Sequence, residues 1–223
     1  MLKKLAVVLA VSGALSLAAK ADTQTLDSSA ATTNNSVVLD LTSAGATQSI
    51  VGNAAWAAPL AGSSWISFTT TGDTSNSNFY AVPNGTAVTF EQTFTLNGTV
   101  TSAFLDVLAD DTTSVVINGT SLYAPNLNGS YPTCSSIEIG CLTSTEGVFN
   151  TAQLLPYLIS NGVNTLDFTV YQKAGSSFGL DYAGAIITTT DTSRKVNTPE
   201  PGTMFMLGMG LSVLGLAATK LRS

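Results

Sequence analysis

The chain has 223 residues, a formal net charge of −6, two cysteines and no histidine. The lack of histidine excludes Ser-His and Cys-His catalytic arrangements and histidine-ligated metals in this sequence. Its acidic balance argues against nucleic acid and anionic lipid surfaces as partners, because both are held by clustered Lys and Arg.

At the N-terminus Lys3 and Lys4 precede an apolar run from Leu5 to Ala19, and the small residues Ala19 and Ala21 frame a cleavage site before Asp22. This is the order of a secretory signal peptide, so residues 1–21 are expected to be removed on export. From Asp22 to Thr198 three basic residues stand against 13 acidic ones, a net charge of −10, which favours cations, neutral glycans or proteins as partners. Residues 22–190 are expected to form one domain with its own core, and 191–198 a linker.

The composition of that middle stretch is rich in Thr, Ser, Asn and Gly with short β-branched runs, which predicts an all-β sandwich. Early strands are expected at Ser36–Leu41 and Ser64–Thr70, with loops at Ala54–Gly62 and Gly72–Asn78. In the stretch Val88–Leu96, Val88, Phe90, Phe94 and Leu96 alternate with Thr89, Glu91, Thr93 and Thr95, the period-two pattern of a strand with one buried face. After an Asn97-Gly98 turn, Val100–Ala109 is more continuously apolar and reads as a central strand. Ser114–Ile117 then runs into Asn118-Gly119, a strong hairpin signal. A short helix is predicted over Thr151–Ser160, capped by Asn150 and ended by Asn161-Gly162, with Pro156 arguing against its full length. Leu166, Phe168 and Val170 alternate in another strand, and Leu180–Thr190 supplies the last.

Two of these stretches, Leu105-Asp-Val-Leu-Ala-Asp-Asp-Thr-Thr-Ser-Val-Val-Ile-Asn-Gly119 and Asn161-Gly-Val-Asn-Thr-Leu-Asp-Phe-Thr-Val170, carry a resemblance to the core of galactose-binding-like jelly rolls. The Asp-Asp pair ahead of a Val-x-Asn-Gly hairpin also resembles PA14-type adhesin domains. The resemblance implies a jelly-roll-like β-sandwich with one short helix. A fold shared by lectins, enzyme appendages and inert spacers names no ligand.

The C-terminus has three parts in order. Pro199, Glu200 and Pro201 form a rigid non-helical stop. Gly202 to Thr219 then carries no charge over 18 residues, which as a helix would reach about 27 Å, enough to cross the hydrocarbon layer of a bilayer. Lys220 and Arg222 close the segment and keep that end cytoplasmic. This tail, 199–223, resembles the PEP-CTERM sorting signal of Gram-negative bacteria. The resemblance implies an exosortase as processing partner, an inner-membrane stage before processing, and a final place on the cell surface or outside it. It also implies an association with exopolysaccharide; a plain tail anchor is the alternative.

Without histidine, catalysis would fall to carboxylate pairs of the glycosidase kind, for which Asp106, Asp110, Asp111, Glu138, Glu146, Asp167 and Asp181 are the candidates. Asp110 and Asp111 stand out, because adjacent carboxylates at a strand end repel each other unless a cation or hydrogen-bond donors compensate. Calcium would take several oxygens there; the alternative is a turn cap beside a solvated Asp. Trp56, in an Ala/Pro loop, is the aromatic expected to be exposed for stacking on a sugar ring, whereas Trp65 reads as core. Asn118 and Tyr123 join Trp56 as candidate ligand-binding residues. Cys134 and Cys141 are expected to form a disulfide in an oxidising compartment, with free, metal-bound or intermolecular thiols as alternatives. The reading that results is a non-catalytic, exported surface or matrix protein that binds or organises exopolysaccharide. A purely structural matrix protein and a carboxylate-dependent glycan hydrolase are its rivals.

In a host with an exosortase, the mature protein should lack Met204–Ser223 and lie outside the inner membrane. Intact-mass measurement of the surface fraction checks this; a retained apolar tail there would leave only the simple anchor.

Overall fold

The computed structural model describes residues 20–28, 35–39, 44–128, 134, 137–173 and 175–190. The expected apolar core of the signal peptide, the linker, the Pro199-Glu200-Pro201 motif and the apolar span at 202–219 lie outside the described residues. The described residues, from Lys20 to Thr190, form one compact unit.

Twelve strands are described: β1 (Lys20–Asp27), β2 (Asn35–Leu39), β3 (Ala44–Ala46), β4 (Gln48–Ser49), β5 (Ile66–Ser67), β6 (Ala87–Leu96), β7 (Thr99–Asp110), β8 (Thr112–Ile117), β9 (Thr120–Tyr123), β10 (Gly147–Asn150), β11 (Gly162–Tyr171) and β12 (Gly179–Thr190). They pair antiparallel in two sheets. The first runs β10-β7-β12-β5-β4, with β1 also on β12; the second runs β3-β2-β6-β11-β8-β9. Because β7 takes one side of β12 along its length, β1 and β5 share the other side end to end. The chain changes sheet at each step from β6 to β7 and β8, and again from β10 to β11 and β12, so the sandwich is jelly-roll-like.

Period-two alternation builds the core between the sheets. Val88, Phe90, Phe94 and Leu96 of β6 point inward, as do Leu166, Phe168 and Val170 of β11 and Leu105, Val107 and Ala109 of β7. The rings of Phe168 and Tyr182 stack across the sheets with centroids 4.4 Å apart. Strand β7 has a second buried position of opposite parity: Leu108 packs on the outer face of the first sheet with Trp65, Cys134 and Cys141, and Ile50, Trp56 and Leu60 cover them. The continuously apolar character of Val100–Ala109 thus has two causes, an inner core and a small outer one.

Several expectations need correction. The helix is a single turn, α1 (Thr151–Leu154), followed by a 3-10 turn at Leu155–Tyr157. Asn150 caps it as predicted, its Oδ1 accepting from the Ala152 and Gln153 amides at 3.0 and 3.3 Å. Pro156 has no N–H with which to continue the helical ladder. The strand expected at Ser64–Thr70 is only the two-residue β5, and β1 begins at Lys20, two residues inside the expected signal peptide. Strands β1, β3, β4, β9 and β10 were not legible, because each is short or polar and is defined by its neighbour rather than by its own pattern.

Two glycines make the tightest turns. Asn118 and Gly119, at φ 50° and 74°, form the β8–β9 hairpin turn, and a Cβ on Gly119 would meet open space. Gly98 turns β6 into β7 at φ 115°, and a Cβ there would lie 2.5 Å from the Thr189 carbonyl oxygen. Gly98→Ala should therefore destabilise the fold by clearly more than Gly119→Ala, whose cost is the left-handed backbone alone, about 1–2 kcal/mol. Urea unfolding of the two variants checks this; equal losses would show that the Thr189 contact is not limiting.

Candidate functional site

The outer face of the first sheet carries polar chemistry in two zones. At one end it is closed by a lid. Asp181, fully buried on this face, accepts Ser28 Oγ at 2.7 Å, Ser63 Oγ at 2.6 Å and the Leu60 amide at 2.7 Å, so the 60–63 loop is tied down onto β12. Burial pushes the Asp181 carboxyl up, against the pull of these donors. Beside it Trp56 Nε1 donates to Asp110 Oδ2 at 2.9 Å, and the Trp56 ring lies 4.3 Å from that of Trp65. The disulfide Cys134–Cys141, with Cα atoms 4.8 Å apart, packs into the same small cluster.

Beyond the lid the face opens into a groove of about 310 Å³. Cross-strand register fixes its layout. Asp27 of β1 lies opposite Ala183 of β12, Ala183 opposite Asp106 of β7, and Asp106 opposite Val148 of β10. The next row on the same face is Thr25, Ala185, Phe104 and Asn150. Small residues on β12 therefore make a floor, with Asp27 on one side and Asp106 with Phe104 on the other. The loop at Leu60–Gly62 forms part of the wall. Phe104 is 48% exposed and Val148 63%, unusual for apolar side chains on a sheet face. Burial raises the Asp106 carboxyl above its ordinary value.

A second, more open groove of about 280 Å³ lies beside the end of β9 and the segments 137–139 and 144–146. Tyr123, Glu138 and Glu146 line it. The Tyr123 hydroxyl donates to Glu138 Oε2 and accepts the Ile139 amide at 3.2 Å, while Glu138 Oε1 takes the Asn126 amide at 3.1 Å. Glu146 is pushed up first by burial and then by the charges of Asp106 and Asp181.

The sequence-predicted residues fall differently from expectation. Trp56 is half-buried rather than exposed, because its ring is held by Trp65 and its N–H by Asp110. Asn118 is engaged on every side: its Nδ2 donates to the Tyr157 carbonyl and Asn164 Oδ1, and its Oδ1 accepts the Thr165 amide, so it ties the hairpin to β11. Tyr123 does line a groove. Asp110 and Asp111 are 2% and 1% exposed, not at a solvated turn, and Asp111 Oδ2 accepts the Lys173 amide at 2.6 Å. The disulfide bears on the outer cluster as well as on its own loop. Asp167 faces Glu91 on the outer face of the second sheet, away from both grooves. Phe104 was missed because an apolar run hides parity, although its i+2 relation to Asp106 was a signal of an outward face.

For the Asp110–Asp111 pair, each Oδ2 already accepts an N–H, while Asp110 Oδ1 has no partner. No third carboxylate joins them among the described residues; the nearby cysteines are consumed by the disulfide.

Comparison with known proteins adds two findings. Residues 197–222 match the PEP-CTERM protein-sorting motif, so the chain carries a signal for exosortase processing, export and surface sorting in Gram-negative bacteria. Among solved structures, one similar chain is the native structure of a family 35 carbohydrate binding module from Clostridium thermocellum, at 13% identity and a TM-score of 0.34, covering 73% of this chain and 97% of that one. No curated protein matches the chain.

Asp110 is pushed up to about 8, chiefly by burial and then by the charge of Asp111. Unfolding returns it to an ordinary value near 4, so the native state holds an extra proton in between. The contribution of this group to stability is therefore highest below about pH 4 and falls as pH rises toward 8. Asp110→Asn, whose amide can donate to Asp111 and accept from Trp56, should flatten that fall and raise the melting temperature at pH 8. Melts from pH 4.5 to 8 in chelator check this; an unchanged slope would assign it to the other raised carboxyls.

Proposed function

We propose that this is a non-catalytic, exosortase-sorted surface protein that binds an extracellular polysaccharide in the groove on the outer face of the first sheet. The observation that carries the reading is the exposed Phe104 ring beside Asp106, over a floor of small β12 residues. An aromatic face matches the C–H side of a pyranose, and carboxylates in reach of its hydroxyls supply orientation. Ala183 and Ala185 keep the floor low enough for a ring to lie down. The lid matters because Asp181 fixes the groove wall in place before any ligand arrives, which lowers the ordering cost of binding.

Two rivals are distinguished by the same material. A structural matrix protein would show no saturable glycan binding. A hydrolase would use Asp27 and Asp106, whose Cα atoms are about 10 Å apart with one strand between them, and would shorten the glycan it binds. Calcium at Asp110 and Asp111 is a further proposal of the sequence; a melting temperature that rises in calcium and falls in chelator would support it.

Phe104→Ala should weaken binding to the best ligand found on a glycan array by about tenfold, the value of losing one stacking contact of 1–1.5 kcal/mol. Its melting temperature should change little, since the ring is half exposed. Undiminished binding by this variant would move the site elsewhere, and shortened glycan in the mixture would bring back the enzyme.

A further inference from the structure

We propose that the groove takes the terminus of a polysaccharide, one or two sugar rings at a chain end, and not an internal stretch of the chain. The inference rests on the binding reading above and deepens it by naming which part of the ligand the site recognises.

The outline of the groove carries the inference. Along its outward positions β12 presents Asp181, Ala183, Ala185 and Ile187 in turn. The register sets β1 against one side of the two alanines and β7 against the other, so larger side chains stand as walls beside a floor of methyl groups. A trench parallel to β12 results. Both of its ends are stopped. At one end Asp181 is fully buried under the 60–63 loop, and Leu60–Gly62 close the trench there. At the other Ile187, 37% exposed, replaces the methyl floor with a branched side chain. About 20 Å of strand separates Asp181 from Ile187, and the lid covers part of that length.

The stops are fixed features of the fold. The Leu60 amide and the Ser63 hydroxyl anchor the lid to Asp181, and the Ile187 carbonyl accepts Thr101 Oγ1 at 3.1 Å. A volume of about 310 Å³ is at the small end of ligand sites, which run from about 300 to 1,000 Å³, and suits one or two sugar rings. A chain bound through its interior would have to leave by both ends of the trench, and one exit meets the lid while the other meets Ile187. A chain end needs one exit only. Its last ring also keeps a hydroxyl that an internal ring has lost to a glycosidic bond. Ala61 and Gly62 carry nothing larger than a methyl, so the lid presents main-chain groups to that hydroxyl while Phe104 covers the C–H face of the ring.

The test is binding of the full chain, purified in detergent, to immobilised linear homo-oligosaccharides, neutral, N-acetylated, amine-bearing and uronate, each at two, three and six residues and each attached through either end. In any series that binds, the Kd of the disaccharide and the hexasaccharide should agree within about threefold, less than the tenfold that one further stacking contact would add. Attachment through one of the two ends should weaken binding by at least about tenfold, because that end has to enter the trench. Ile187→Ala removes the far stop, so the hexasaccharide should then bind more than about threefold tighter than the disaccharide, a gain that a merely destabilised fold would not give. A larger length dependence in the unaltered chain, equal binding through both attachments, or an Ile187→Ala chain still indifferent to length would overturn the inference while the polysaccharide reading stands. If no oligosaccharide binds in any series, the reading itself falls and the inference with it.

Discussion

A carboxylate with no access to water has to be given donors by the protein, and Asp181 receives two hydroxyls and a backbone amide from two separate segments of the chain. Ser28 follows β1 directly, Leu60 and Ser63 belong to the loop before β5, and Asp181 itself is on β12. Removing the carboxylate would leave the Leu60 amide without its acceptor, which is costly, while the Ser28 and Ser63 hydroxyls keep the Ser64 and Leu60 carbonyls in reach. That network holds the lid on the outer face of the first sheet, and the lid in turn shields Leu108 and the disulfide and forms part of the groove wall.

A sandwich needs only one buried face per sheet, so a second, outer cluster demands explanation. It is built where β7 and β12 place Leu108 and Asp181 outward and where the 50–65 and 134–141 segments fold back over them. The disulfide fits this arrangement: a loop of this length, closed by one bond, has little conformational freedom left in the unfolded chain, and its two half-cystines also serve as apolar packing. The buried Asp110–Asp111 pair sits beside this cluster, where burial and the neighbouring charge push the Asp110 carboxyl up.

Where the lid ends, the same face becomes open surface without any change of backbone. The strand register continues unchanged from the covered rows to the open ones. What changes is cover: Asp181 is under the loop, while Asp106 and Phe104, one and two rows further on, are not. The open rows thus inherit the rigidity of a central sheet and the exposure of a loop, a combination suited to a preorganised binding platform.

The sequence by itself determined the sorting signal, because it is written in local composition and order: Pro199-Glu200-Pro201 with its span and basic end. It also determined the strands with clean alternation, β6 and β11, the Asn118-Gly119 hairpin and the Asn150 cap, since each depends on residues within a few positions of one another. Tertiary structure decided the rest. Whether Trp56 is exposed depends on Trp65 and Asp110, 9 and 54 positions away. Whether Phe104 is core or platform depends on which face of β7 the lid happens to cover. Parity along a strand tells which residues share a face, but only the packing of distant segments tells which part of that face is left to solvent.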